Sequence, residues 1–83
     1  MALDTQGWLD RYAAALGLAP VTGDDVECLL NLAGVAAHAS ERRAAPISCY
    51  LAALSGRPLA EALAAARELA DGLAGDGDPQ AGA

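Results

Sequence analysis

The sequence is poor in the residues that β-strands favour, with no phenylalanine, one tryptophan, two tyrosines, three valines and one isoleucine. Alanine and leucine, which lead the ranking of helix formers, contribute 22 and 13 of the 83 residues. We therefore expect an all-α protein. A chain of this length has room for one hydrophobic core, so we expect a single domain.

Lysine is absent, so the five positive charges are all arginines, against eleven acidic residues and a net charge of −6. Nucleic acids and anionic membrane surfaces both attract positive protein surfaces, so we expect neither as a partner. The longest uncharged stretch before the C-terminal segment has 13 residues, from Ala44 to Gly56, whereas about 20 are needed to cross a bilayer. Without a basic and apolar leader sequence, the expected location is cytoplasmic.

Residues that bind metals or act as nucleophiles are scarce. His38 is the single histidine, and the two cysteines, Cys28 and Cys49, have no spacing typical of zinc binding. Ten residues of helix span about 15 Å, so Cys28 and His38 cannot form a catalytic pair, while Cys49 with His38 stays geometrically open. We expect no metal, no cofactor and no enzymatic activity, and we expect both thiols to be reduced and buried.

Apolar residues at helical spacing predict four helices, over residues 4–16, 24–39, 46–54 and 58–73. Gly17 is expected in the left-handed conformation after the first helix, and Pro46 and Pro58 in the first turns of the third and fourth. The architecture predicted is a compact four-helix domain over residues 1–74 with short loops, followed by a disordered tail over 75–83. The large apolar side chains are expected to face the core, among them Trp8, Tyr12, Ile47, Tyr50, Leu51, Leu54, Leu59, Leu63, Leu69 and Leu73.

The second predicted helix is apolar around nearly its whole circumference, with only Glu27, Asn31 and His38 forming a polar stripe. Such a helix lies at the centre of a bundle or in a dimer interface. We therefore predict an interaction surface on this helix that includes Val26, Leu30 and Val35.

The segment from His38 to Pro46 contains the adjacent arginines Arg42 and Arg43. Two guanidiniums before a helix whose first N–H groups lack partners favour an anion such as phosphate, so His38, Arg42 and Arg43 are the predicted ligand site. Two simpler roles stay open. The arginines can be solvated or paired with carboxylates such as Glu41, and His38 can interact with the negative end of its own helix.

Several of these residues occur together in a known family. Trp8, the turn Leu16-Gly17-Leu18, the Leu29–Ala33 segment and the spacing from His38 through Arg42 to Pro46 resemble a small bacterial helical domain of unknown function. The resemblance covers about residues 6 to 74. Members of that family occur alone or fused to the C-terminus of molybdenum cofactor guanylyltransferases, which implies an association with molybdenum cofactor maturation. The sequence departs from the family at Asn31, Gly34-Val35 and Arg43, where an acidic residue, an Arg-Asp pair and a proline are frequent.

Three functions are compatible with these observations. The first is a non-catalytic helical accessory module that docks on a protein partner, with an enzyme of the molybdenum cofactor pathway implied by the resemblance. The second is a small binding domain for a phosphorylated ligand at the Arg42-Arg43 loop. The third is a structural homodimer in which the second helix self-associates.

Overall fold

A computed structural model describes residues 3–76, which form four α-helices. These are α1 (Thr5–Ala15), α2 (Gly23–Ala39), α3 (Ala44–Ser55) and α4 (Leu59–Asp76). No strand occurs in this part of the chain, so the prediction of an all-α, four-helix fold is confirmed. Helix α3 begins two residues before the predicted position, and α4 ends three residues after it. The predicted tail therefore begins inside α4, and its remainder, residues 77–83, lies outside the described residues.

Side-chain caps fix the start of the first two helices. The carboxylate of Asp4 accepts a hydrogen bond from the Gly7 N–H at 2.7 Å, and the hydroxyl of Thr22 accepts one from the Asp25 N–H at 3.0 Å. Each cap satisfies one of the backbone donors that a helix leaves free in its first turn.

Glycines end α1 and α3. Gly17 lies at φ 76°, and the N–H of Leu18 donates to the carbonyl oxygen of Ala13 at 2.8 Å, which is the Schellman arrangement that the sequence predicts. Gly56 ends α3 in the same left-handed conformation, at φ 70°. Both positions need a residue without a Cβ atom, because the left-handed region is costly for other residues.

Helices α2, α3 and α4 form the packed core, with α2 in the centre against both neighbours. The buried cluster consists of Leu32, Ala52 and Leu63, and partly buried residues such as Val35 and Cys49 pack around it. The central position predicted for the second helix is confirmed. Alanines at the contacts allow the helix axes to approach closely.

The large apolar side chains of α3 do not face this core. Ile47, Tyr50, Leu51 and Leu54 are each between 58% and 63% exposed, so their predicted inward orientation is wrong. The helix packs on α2 through the opposite face, which carries small residues and includes the buried Ala52. On α4 the prediction holds for Leu63, which is buried, and fails for Leu69 and Leu73, which are more than half exposed.

Helix α1 stands apart from the other three. Within the described residues, no Cα atom of α1 lies within 8 Å of a Cα atom of α2, α3 or α4. The rings of Trp8 and Tyr12 stack on each other with their centroids 5.7 Å apart, and Trp8 remains 57% exposed. The expectation that these two aromatic residues lie in the core is therefore wrong, because no other helix covers this one.

Candidate functional site

An open groove lies between α3 and α4, with α2 as its floor. Leu51 of α3 forms one wall, Leu69 and Leu73 of α4 form the other, and Val35 and Ala36 lie on the floor. The volume of the groove is about 450 Å³. On α4 its lining extends from Ala62 to Leu73, a length of about 16 Å, or three turns of a helix.

The lining of this groove offers mostly apolar surface. Arg57 is the one charged residue among the lining residues, all of which are described. Ser55 also lines it, but its hydroxyl donates to the carbonyl oxygen of Ala52 at 2.7 Å and is satisfied within α3. The groove can therefore take apolar side chains, with a single positive charge available to a carboxylate.

Helix α3 extends this apolar surface beyond the groove. It contains no charged residue between Ala44 and Ser55, although the chain carries a net charge of −6. Its exposed side chains have the spacing i, i+3, i+4 and i+7, which places them on one helix face. Because Leu51 belongs to both the groove and this face, the two are continuous. We call the combined region the α3–α4 surface; its exposed residues are Ile47, Tyr50, Leu51, Leu54, Leu69 and Leu73.

The size of the α3–α4 surface is significant for so small a domain. A leucine-sized side chain carries about 100 Å² of apolar area, so six such residues at roughly 60% exposure present on the order of 400 Å². The largest apolar patch on a typical monomeric protein is about 300–600 Å² and often functional. This surface therefore has the size of an interaction site. Many of the proteins that carry a patch of this size are several-fold larger than this chain.

The predicted ligand residues do not share one site. His38 is exposed in the last turn of α2, as predicted, and lines a second open groove together with Arg67 and Asp71 of α4. Arg42 and Arg43 lie in the turn before α3 and do not line that groove. Both are exposed, and the side-chain hydrogen bonds found among residues 3–76 include neither guanidinium.

The start of α3 lacks the free donors that an anion site there requires. The N–H of Ala44 donates to the carbonyl oxygen of Glu41 at 2.9 Å, and the N–H of Ala45 to that of Arg42 at 3.2 Å. Pro46 has no N–H to offer. The premise that the first N–H groups of this helix point outward unpaired is therefore wrong, because those of Ala44 and Ala45 are already bonded.

The residues predicted as an interaction surface on α2 lie in different environments. Leu30 is 62% exposed and lines the groove between α2 and α4. Val26 is half-buried, and Val35 packs against the buried cluster. The central position of α2 explains this distribution, because α3 and α4 already cover much of its surface.

The sequence contains a signal for the α3–α4 surface that the analysis of periodicity missed. Helix α3 carries two stripes with the same spacing, one of large residues and one of small residues. Either stripe could face a partner helix, and the expectation that the large side chains face the core rests on the large stripe alone. The small stripe, which the structure partly or fully buries, consists of Ala45, Ser48, Cys49 and Ala52.

Both cysteines of the described region are free thiols, as predicted, but both are half-buried, so their predicted full burial is wrong. Cys49 is half-buried, and its Sγ donates to the carbonyl oxygen of Leu29 at 3.8 Å. Burial raises the pKa of the Cys49 thiol above its ordinary value, because desolvation disfavours the thiolate. Cys49 therefore remains protonated at neutral pH, a state that is poorly nucleophilic.

Residues 3–76 contain no group of three or more His, Cys, Asp or Glu side chains placed to hold a metal ion. None of their helices has the length and apolar character that crossing a membrane requires.

Comparison with known proteins gives a match to a protein family. Residues 2–80 match a protein family described as a domain of unknown function, DUF6457. No curated protein and no solved structure is significantly similar to the chain.

Proposed function

The chain belongs to the DUF6457 family, and we propose that it is a non-catalytic interaction module that binds an amphipathic helix in the groove between α3 and α4. The observation that carries this proposal is the distribution of large apolar side chains. Within residues 3–76, two of them are buried, Leu32 and Leu63, and twelve are at least 47% exposed.

The energetics favour covering these side chains. Burying a leucine or isoleucine side chain contributes about 1.5–3 kcal/mol, and domains of this size obtain only a few kcal/mol from their own core. Six large side chains on one mostly apolar surface therefore represent a large gain that is available only when another polypeptide covers them. Helix-in-groove recognition uses anchor residues at the spacing found on amphipathic helices.

The groove defines the chemistry of the helix that it would accept. Its length along α4 corresponds to three turns, and its walls offer contacts to leucine-sized or aromatic side chains. Arg57 lines the groove, so a carboxylate on the incoming helix would gain a charge-assisted hydrogen bond. The expected occupant is a three-turn amphipathic helix with an acidic polar face.

The family resemblance carries the proposal one step further, to a partner in molybdenum cofactor maturation. Its support is that related domains are fused to molybdenum cofactor guanylyltransferases, which is an argument from association and not from the groove itself. The phosphorylated-ligand alternative at Arg42 and Arg43 has weaker support, because the N–H groups of Ala44 and Ala45 at the start of α3 are occupied.

Matched variants test this function. Leu51 lies in the groove between α3 and α4, and Leu30 is similarly exposed in the groove between α2 and α4. We expect the tagged chain to co-purify with a molybdenum cofactor guanylyltransferase, the Leu51→Glu variant to lose it and the Leu30→Glu variant to retain it. We also expect deletion of the gene to lower molybdoenzyme activity. Intact activity after deletion, together with no co-purified enzyme of this pathway, would remove the cofactor link.

A further inference from the structure

We propose that the helix which fills the groove in the resting protein is α1 of a second copy, so that two copies exchange α1 in a homodimer. This inference rests on the proposed function of the groove as an acceptor for a helix, and it names the occupant. A helix of a different protein would then bind by displacing the exchanged α1.

Helix α1 has the length and pattern that the groove requires. Its 11 residues span about 16 Å, the same length as the groove along α4. Trp8, Tyr12 and Leu16 follow at intervals of four residues on one face, and all three are at least half exposed. Within residues 3–76, the apolar face of α1 is therefore uncovered, and no helix of the same chain fills the groove between α3 and α4.

The charges of the two elements are complementary. Arg57 is the charged residue of the groove lining, whereas α1 and its cap carry two aspartates, Asp4 and Asp10, and one arginine, Arg11. Asp10 is held by a hydrogen bond from the Nε2 atom of Gln6 at 2.9 Å. Asp4 precedes Trp8 by four residues and so lies near the apolar face of α1, where its carboxylate can approach Arg57, whereas Asp10 lies on the opposite face.

The connection between α1 and α2 favours exchange over closure within one chain. Residues 18–22 are not helical, and Pro20 fixes its own φ and disfavours helix at Ala19. Helices α1 and α2 therefore cannot merge, and no Cα atom of α1 lies within 8 Å of a Cα atom of α2, α3 or α4. Short extended hinges of this kind are where subunits exchange identical elements.

The exposed area also favours a second copy. If α1 filled the groove of its own chain, it would cover Leu51, Leu69 and Leu73 and leave the outer face of α3 exposed. In a homodimer, the rest of the second copy lies beside that outer face as well. The α3–α4 surface together with Trp8, Tyr12 and Leu16 presents nine side chains, or on the order of 500 Å² of apolar area. A standard interface buries about 800 Å² per partner, of which about 65% is apolar in homodimers, so the two areas agree.

Trp8 provides a direct probe, because it is the single tryptophan of the chain. In the arrangement described it is exposed, so at nanomolar concentration its emission should be red-shifted and readily quenched by acrylamide. As the concentration of the full chain rises to tens of micromolar, we expect a blue shift and reduced quenching. These changes should occur over the same range of concentration as a doubling of the 8.3 kDa mass, measured by sedimentation equilibrium.

Two variants and their mixture identify the contact. Tyr12→Glu damages α1, and Leu69→Glu damages the groove; both positions are exposed, so circular dichroism should show unchanged helicity. Each variant alone should be monomeric at a concentration where the parent chain is dimeric. An equimolar mixture should regain a heterodimer, because it contains one intact α1 and one intact groove. Leu30→Glu is the matched control and should remain dimeric.

The other results overturn the inference in distinguishable ways. A Trp8 that is protected at every concentration in a monomeric chain would mean closure within one chain. A dimer that survives Tyr12→Glu but not Leu69→Glu would mean that a second copy uses another helix, which leaves the proposed function intact. A monomer with exposed Trp8 at all concentrations would exclude the exchange, and the co-purification with Leu51→Glu and Leu30→Glu would then decide the proposed function separately.

Discussion

The two faces of α3 have the same helical spacing and opposite environments. The face with Ala52 packs on α2 inside the domain, whereas the face with Ile47, Tyr50, Leu51 and Leu54 is directed away from it. Small side chains allow two helix axes of one chain to approach closely, while large ones offer more apolar area to an additional helix. Periodicity therefore identifies helix faces, and side-chain size helps to decide which of them closes the core.

The largest expected effect is the difference in stability lost when a buried leucine and an exposed leucine are each replaced by alanine. Leu63→Ala, at a position that is 7% exposed, should lower the free energy of unfolding by about 2–5 kcal/mol. Leu54→Ala on the outer face of α3 is the control and should change it by less than about 0.5 kcal/mol in the monomer. Urea denaturation at nanomolar concentration measures both. Equal losses would show that Leu54 is buried as fully as Leu63 and that the outer face of α3 is not exposed as described.

A second prediction concerns the small face of α3. Ala52→Leu inserts a large side chain where two helices are in contact and should cost about 1–3 kcal/mol through overpacking. Ala53→Leu, one residue further on and exposed, should be nearly neutral because the two residues have similar helix propensities. The same denaturation experiment compares them, and a neutral Ala52→Leu would contradict the close packing of α3 on α2.

A third prediction compares α1 with the core. Gly17 has a positive φ, and a Cβ atom added there would meet no neighbour, so Gly17→Ala should act through backbone strain of about 1–2 kcal/mol. Because α1 does not contact α2–α4, the cost should appear as faster amide hydrogen exchange in α1 at nanomolar concentration, with exchange in α2 unchanged. Gly23→Ala, at a position without positive φ, is the control. Faster exchange throughout the chain would show that α1 is coupled to the core.

The smallest expected effect is the pH dependence of Cys49. Its pKa is raised by burial, so the thiol stays protonated in the folded chain at pH values where it ionises in the unfolded chain. The associated stability is present below the unfolded pKa and is lost as pH rises through the folded one. In a Cys28→Ser variant, the alkylation rate of the folded chain should rise at higher pH than in urea. Coincident pH profiles would contradict the burial of Cys49.

The sequence predicted the helices well because their signals are local. Gly17, Pro46 and Pro58 act within a few residues, so the four-helix, all-α fold follows from them and from the alanine and leucine content. The orientation of each helix is not local. It depends on which face of α3 meets α2, and two faces with equal spacing make that choice ambiguous.

The ligand site predicted from the sequence differs from the groove proposed here for a related reason. Adjacent arginines such as Arg42 and Arg43 indicate an anion site in an acidic sequence, yet the N–H groups of Ala44 and Ala45 that follow them are bonded within the turn that precedes α3. The groove between α3 and α4 is formed by alanines and leucines, which are distributed along the whole sequence. It becomes recognisable only once three helices are assembled and α1 is seen apart from them.

The central claim is that another polypeptide covers the α3–α4 surface. The most direct measurement places a photo-crosslinking amino acid at Leu51 and, in a separate chain, at Leu30, and identifies the adducts formed in the cells that produce the protein. We predict that position 51 gives a defined adduct, containing either α1 of a second copy or a helix of a partner, and that position 30 gives little. Equal crosslinking from both positions, or none from position 51, would contradict the account.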